Sequence, residues 1–450
     1  MIMDRLSGYL FLIGVLMIFG CNNLQEPGVA KVYQEEATRN PVLLDQSVKK
    51  LTDVIVHDIF SPPVASRNYV YPLVAAYETL RNGYPEYKTL AGQLRELKAV
   101  PGPIKDETYN FEIAAVHAFL KTAQNFIFSE QKMEDFRNEI YKGYKSMNVP
   151  KDIYDRSIAY GDKISAHILE WSDGDLYKQT RTYPRYSVED IPGRWTPTPP
   201  GYMDGIEPHW NKIRPMVLDS ARQFQPLPPT KYDMKKGSKF HKELMEVYEV
   251  VKNANEEQIE IASFWDCNPY VSHTVGHVMY ATKKITPGGH WMGITRTATR
   301  QANLDVMATT EVYTMVAIAL FDGFISCWDE KYNSNLTRPE TVINGSFDES
   351  WLPLLQTPPF PEHTSGHSVI STAAAVVLTE KLGPTFSFID STEVEYGLPP
   401  RSFDSFLAAS EEAAISRLYG GIHYRPAIEY GVDQGRKVGE FVSANLAMKK

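Results

Sequence analysis

The sequence predicts an all-α protein built from helical bundles. Three observations carry that expectation. Apolar residues recur at helical spacing through most of the chain, sustained two-residue alternation is missing, and short connections join the helical segments. The main interruption is a proline-rich passage at about residues 177–233.

Over 48–60, Leu51, Val54, Ile55 and Ile59 share one helical face, and 111–128 repeats the pattern with Ile113, Val116, Phe119 and Leu120. Segments 133–144 and 153–171 are amphipathic in the same way. The prolines from Pro184 to Pro229 then stop helix formation. Tyr183, Trp195, Tyr202 and Trp210 in that stretch imply an arm packed onto the body, as plain cover or as part of a site entrance. The second half reads as one long helix over 235–264, a more apolar one over 303–328 and an Ala- and Val-rich buried one over 368–381. Helices over 404–419 and 430–446 complete the set.

With 450 residues and 43% apolar content, the chain can bury a large core. A net charge of -9 argues against a nucleic-acid partner, which needs a basic surface. The three cysteines, Cys21, Cys267 and Cys327, show no zinc-type spacing and cannot make a disulfide framework, so thiolate metal sites are not expected. Residues 1–21 read as a targeting segment: Arg5, a short apolar run over 9–19, then Gly20-Cys21. This resembles the lipobox of bacterial lipoproteins, with Cys21 the lipidation site and the protein exported and anchored to the cell envelope. An ordinary signal peptide with a coincidental cysteine is the other reading. Residues 22–45 follow as a tether, 46–234 as N-terminal helices plus the proline-rich arm, and 235–450 as a helical catalytic region.

Three segments carry chemistry. The first runs from Lys331 to Arg338-Pro339, where two cations seven residues apart can converge on one anion, Arg338 as a rigid fork and Lys331 as a point charge. The second is Ser365-Gly366-His367 at the start of a helix, where free N–H groups, a hydroxyl and a bare glycine backbone make an oxyanion seat. The third is Ser416-Arg417, then Gly420-Gly421 and His423; the glycines end the helix and let His423 turn back as a nucleophile or a nitrogen ligand. Each alone also reads as an ordinary surface or capping feature. Together, three cations, a hydroxyl, a glycine N–H and two histidines suit a tetrahedral oxyanion.

The pattern Lys-x6-Arg-Pro, Ser-Gly-His and Ser-Arg-x5-His resembles the three-part signature of vanadium-dependent haloperoxidases and type-2 phosphatidic acid phosphatases, over residues 328–423. The resemblance implies paired four-helix bundles of the vanadium haloperoxidase and acid phosphatase type. It implies vanadate held by Lys331, Arg338, Ser365, Gly366, His367 and Arg417, with His423 the axial ligand to the metal and His367 and His423 the catalytic pair. Hydrogen peroxide and halide are then the substrates, iodide the favoured halide, with a small organic acceptor downstream. Trp328 and Phe360 resemble the aromatic residues flanking the family's halide niche; Asp329, beside them, is placed to bond one of the cations, and His363 and Tyr270 are weaker candidates for the surroundings.

The alternative is a phosphatase with a phosphohistidine intermediate on His423, which needs no metal and takes phosphate as the substrate group. The Asp common four residues after the last histidine is Ala427 here, which weakens that reading unless Glu429 or another acid substitutes. Thr364 stands where Pro is common. Trp328, Phe360, Ala427 and the lack of several membrane-spanning helices favour the peroxidase. A non-enzymatic oxyanion binder would not need both His367 and His423. Elsewhere, His273 and His277 are four apart and would face one side of a helix as metal ligands, though Gly276 weakens it; His57, His117 and His167 read as core or surface residues.

Overall fold

The computed structural model describes residues 38–450, so Cys21 and the targeting segment lie outside the described residues. The helices are α1 (Val42–Asp58), α2 (Pro62–Leu80), α3 (Phe111–Gln124), α4 (Glu130–Ser146), α5 (Lys151–Asp173), the single turn α6 (Tyr177–Thr180), α7 (Lys239–Lys252) and α8 (Glu256–Phe264). A hairpin of β1 (Val271–Val275) and β2 (Val278–Thr282) follows. Then come α9 (Pro287–Gln301), α10 (Val306–Ser334), α11 (Pro339–Ser346), α12 (Gly366–Leu382), the short pair β3 (Phe388–Asp390) and β4 (Arg401–Phe403), α13 (Phe406–Tyr419) and α14 (Arg425–Asn445).

Two bundles lie side by side. In the first, α1, α4 and α5 pack round α2 and α3. In the second, α9, α10, α13 and α14 surround α12, and α10 also lies against α2, so one hydrophobic core runs through both. α10 is long and apolar enough to cross a membrane, but its apolar window is entirely buried inside the fold. The close approach of α14 to α12 is possible because Gly435 has no side chain: a Cβ there would stand 2.1 Å from the Val369 carbonyl oxygen. That contact fixes the α12 N-terminus, where the Ala427 carbonyl accepts the Ser365 N–H at 3.0 Å.

The structure departs from the sequence expectations in several places. The helix expected over 235–264 is two, because Asn255 and Gln258 form a reciprocal capping box that starts α8 afresh. α14 begins at Arg425, since Pro426 takes a first-turn position where its missing N–H costs nothing. α2 and α9 were not foreseen: α2 is buried on every side and carries Pro62, Pro63 and Pro72, and α9 opens on Pro287-Gly288-Gly289. His273 and His277 sit in a hairpin instead of a helix; His273 stacks on Tyr280 and bonds Thr282, His277 is exposed, and no shared metal face exists. α1 begins at Val42, inside the expected tether, and Asp45 is buried against Arg300. Cys267 and Cys327 are both free and buried.

Candidate active site

The three signature segments converge on one cavity of about 160 Å³. α10 runs on to Ser334 and ends at Asn335, a left-handed residue, which puts Lys331 in its last turn. Arg338 caps α11 just before Pro339. Ser365 is the N-cap of α12, its hydroxyl oxygen accepting the Ser368 N–H at 3.3 Å, so Gly366 and His367 form the first turn. Arg417 is in the last turn of α13. Gly421 then takes a φ of 77°, a conformation costly for other residues, and the chain reverses so that His423 faces back before α14 begins.

His423 is the best-defined group. Its Nδ1 lies 2.8 Å from Glu362 Oε1, and its Nε2 lies 3.1 Å from Arg338 Nη1. A carboxylate on one side and a guanidinium donor on the other fix the neutral tautomer with the proton on Nδ1 and the lone pair on Nε2. Burial, reinforced by Arg338, Lys331 and Arg417, holds the ring's pKa well below its ordinary value. Glu362 also accepts the Tyr424 N–H at 2.9 Å, and burial pushes its carboxyl up to about 7 against the pull of Arg338 and Lys331. Glu362 thus occupies the role expected of an acid after the last histidine. Glu429 is exposed and does not reach the site.

The cations are fully buried or nearly so. Arg338 donates from Nε to the Phe360 carbonyl and from Nη1 to the Ile422 carbonyl; burial lowers it to about 10, so it keeps its charge at neutral pH. Arg417 donates from Nη2 to the Trp265 carbonyl at 2.6 Å. Lys331 spends its three N–H groups on the carbonyls of Pro361, Glu362 and Thr364, at 3.0, 3.1 and 2.5 Å. It therefore buttresses the loop before Ser365 and lends charge from behind the cavity wall, instead of standing in the wall. Burial is what pushes it down to about 7. His367 is also held well below its ordinary value, by burial first and Arg417 second.

Three buried polar atoms of this group lack a partner: Arg338 Nη2, His367 Nε2 and Glu362 Oε2. Buried polar atoms are rarely left so. Lys331, Arg338 and Arg417 outnumber Glu362, and Asp266 at the cavity edge is already paired with Lys284 at 2.7 Å. The surplus of buried positive charge and the orphaned Arg338 Nη2 donor fit an oxyanion such as vanadate or phosphate.

Gly366, His367, Arg417 and His423 line the cavity directly, with Lys331, Arg338 and Ser365 buried behind them. Trp328, Phe360 and Tyr270 also line it, as the sequence suggested. The Trp328 and Phe360 rings meet at 4.9 Å, and Lys331 and Arg338 lie over the Phe360 ring. Two expectations fail. Asp329 bonds Asn211 and Arg222 of the proline-rich arm, not a cavity cation. His363 turns to the Leu227 carbonyl at 3.0 Å and to Tyr430, away from the cavity, and burial lowers it to about 4. Sequence reasoning missed Glu362, and it missed Met203, Ile206, Pro358 and Pro359, which complete the apolar wall.

Comparison with known proteins agrees with this geometry. A family model described as the VCPO second helical-bundle domain matches residues 311–449. The crystal structure of the first bacterial vanadium-dependent iodoperoxidase is 55% identical to the chain, covering 91% of it and 97% of that protein, with a TM-score of 0.87. An apo-type bacterial vanadium-dependent chloroperoxidase shares the fold at 16% identity and a TM-score of 0.64, covering 86% of this chain and 95% of its own. A holo-type one does so at 16% and 0.63, covering 92% and 97%. No curated protein matches the sequence.

Proposed function

The chain belongs to the vanadium-dependent haloperoxidase family, and from that premise we propose that it oxidises halide, iodide foremost, with hydrogen peroxide at a vanadate held in this cavity. The observation that carries the proposal is the neutral His423, presenting Nε2 as a ligand beside buried Arg338, with Glu362 behind it. The iodide preference is supported by the relative described as an iodoperoxidase.

Vanadate bound here would supply a Lewis-acidic centre that makes peroxide oxygen electrophilic toward halide. The protein's own residues do the rest. Arg338 and Arg417, with the Gly366 N–H and the Ser365 hydroxyl, would hold the oxyanion, while Lys331 contributes charge from behind. As carboxylates do for metal-bound histidines, Glu362 keeps the proton on His423 Nδ1 and so leaves the lone pair on Nε2, where a bound group would take the place of the Arg338 Nη1 contact. His367 Nε2, neutral and without a partner, is placed to take a proton from peroxide and return it to the leaving oxygen. Trp328, Phe360, Pro358, Pro359, Met203 and Ile206 exclude water and offer a polarisable anion an apolar niche. Hypohalous acid leaving the cavity would halogenate a small organic acceptor.

The Glu362–His423 pair would serve a phosphohistidine mechanism too, so the test runs both reactions. The expected result is triiodide formation that requires hydrogen peroxide and orthovanadate, with p-nitrophenyl phosphate hydrolysed slowly or not at all. Vanadate-inhibited phosphate release without iodide oxidation would replace this reading with the phosphatase. For cellular placement we propose export and lipid anchoring through Cys21; the support is the apolar run and Gly20-Cys21 of the sequence alone.

A further inference from the structure

Beside the cavity lies a second cluster that the oxyanion chemistry does not use. Cys267, which lines the cavity, meets His290 of α9 and Glu393, which follows β3. Cys267 Sγ is 3.4 Å and Glu393 Oε1 is 3.1 Å from His290 Nδ1. All three ligand atoms lie within 4.8 Å of one another, and the residues are at most 2% exposed. On the other side of the ring, His290 Nε2 is 2.7 Å from Asp390 Oδ2. Trp265 stacks on the imidazole at 4.6 Å. Glu393 Oε1, though buried, makes no aligned hydrogen bond and has only the ion-pair contact with His290 Nδ1.

We propose that Cys267 Sγ, His290 Nδ1 and Glu393 Oε1 form a binding site for a zinc-type divalent cation. Thiolate, imidazole and carboxylate are the ligand types zinc takes, and ligands about 2.0–2.3 Å from one tetrahedral ion sit roughly 3.5 Å apart, close to the spacings here. His290 already has the outer partner of a metal-bound histidine, since Asp390 fixes the proton on Nε2 and leaves Nδ1 to the metal. The fourth position would open toward the cavity that Cys267 lines. The ion would pin residues 265–267, whose Trp265 carbonyl holds Arg417. Ligands at 267, 290 and 393 have no motif spacing, which is why the sequence suggested no such site.

The test needs neither vanadate nor halide. The full chain is stripped with a chelator and titrated with cobalt(II), whose thiolate charge-transfer absorption reports a Cys ligand. The expected result is one equivalent bound with that absorption, kept in a Cys21→Ser/Cys327→Ser variant and lost in Cys267→Ser. Glu393→Gln, which leaves the thiol in place but removes a direct ligand, is expected to weaken binding by at least the roughly 10- to 100-fold that loss of an outer partner costs, and it decides the matter if Cys267→Ser does not fold. No thiolate–cobalt absorption in the wild type, absorption that survives Cys267→Ser, or full affinity in Glu393→Gln would overturn the proposal.

Discussion

The two walls of the cavity are built on different principles. The polar wall is Gly366, His367, Arg417 and His423, backed by Lys331, Arg338 and Glu362, all on or next to the helix ends of the second bundle. Each of its charged groups is fully or nearly buried and tied by hydrogen bonds at 2.5–3.1 Å. The apolar wall joins Trp328 and Phe360 to Met203, Ile206, Pro358 and Pro359, and it is held by packing and by the arm. Two directional bonds, one from each of the Trp328 and Tyr332 side chains, reach the Ile206 carbonyl. One wall therefore sets the reaction and the other sets what reaches it. Substitutions in the polar wall should cost rate by orders of magnitude, and those in the apolar wall should move substrate preference.

His423→Ala should give the largest effect, reducing vanadate-dependent triiodide formation to the rate without enzyme. His367→Ala should follow, with kcat down about 10²- to 10⁴-fold and orthovanadate affinity nearly intact; stopped-flow rates beside a vanadate binding curve separate the two. Glu362→Gln should weaken orthovanadate binding by about 10- to 100-fold, measured by equilibrium dialysis, since the amide no longer enforces the Nδ1 proton. Phe360→Leu should leave vanadate affinity unchanged and raise the KM for iodide several-fold; a collapse of vanadate binding instead would erase the distinction between the walls. Arg222→Ala should do least. Its partner Asp329 faces the arm, and an exposed Arg in such a pair contributes under about 1 kcal/mol, so thermal unfolding should shift slightly and turnover not at all.

The same contrast explains what could be read in advance. The polar wall sits within short segments, where helix termini, a glycine reversal and an N-cap serine each follow local rules, so Lys331, Arg338, Ser365, Gly366, Arg417 and His423 could be grouped from sequence. Trp328 and Lys331 share a helix face because they are three apart, whereas Asp329 is rotated by about 100° and meets the arm. That phase was available in the sequence once α10 was known to continue to Ser334. Glu362 was not legible, because its reach to His423 depends on how residues 361–364 fold over Lys331. α2 hid for the opposite reason: buried on all sides, it has no polar face to mark a helical period. The split between α7 and α8 was written in Asn255 and Gln258, a capping box that continuous apolar spacing masked.

Orthovanadate binding by the wild type and His423→Ala, followed by equilibrium dialysis, tests most directly the claim that His423 is the anchor of the site. One equivalent should bind per wild-type chain and none to the variant. Equal binding by both would contradict that claim.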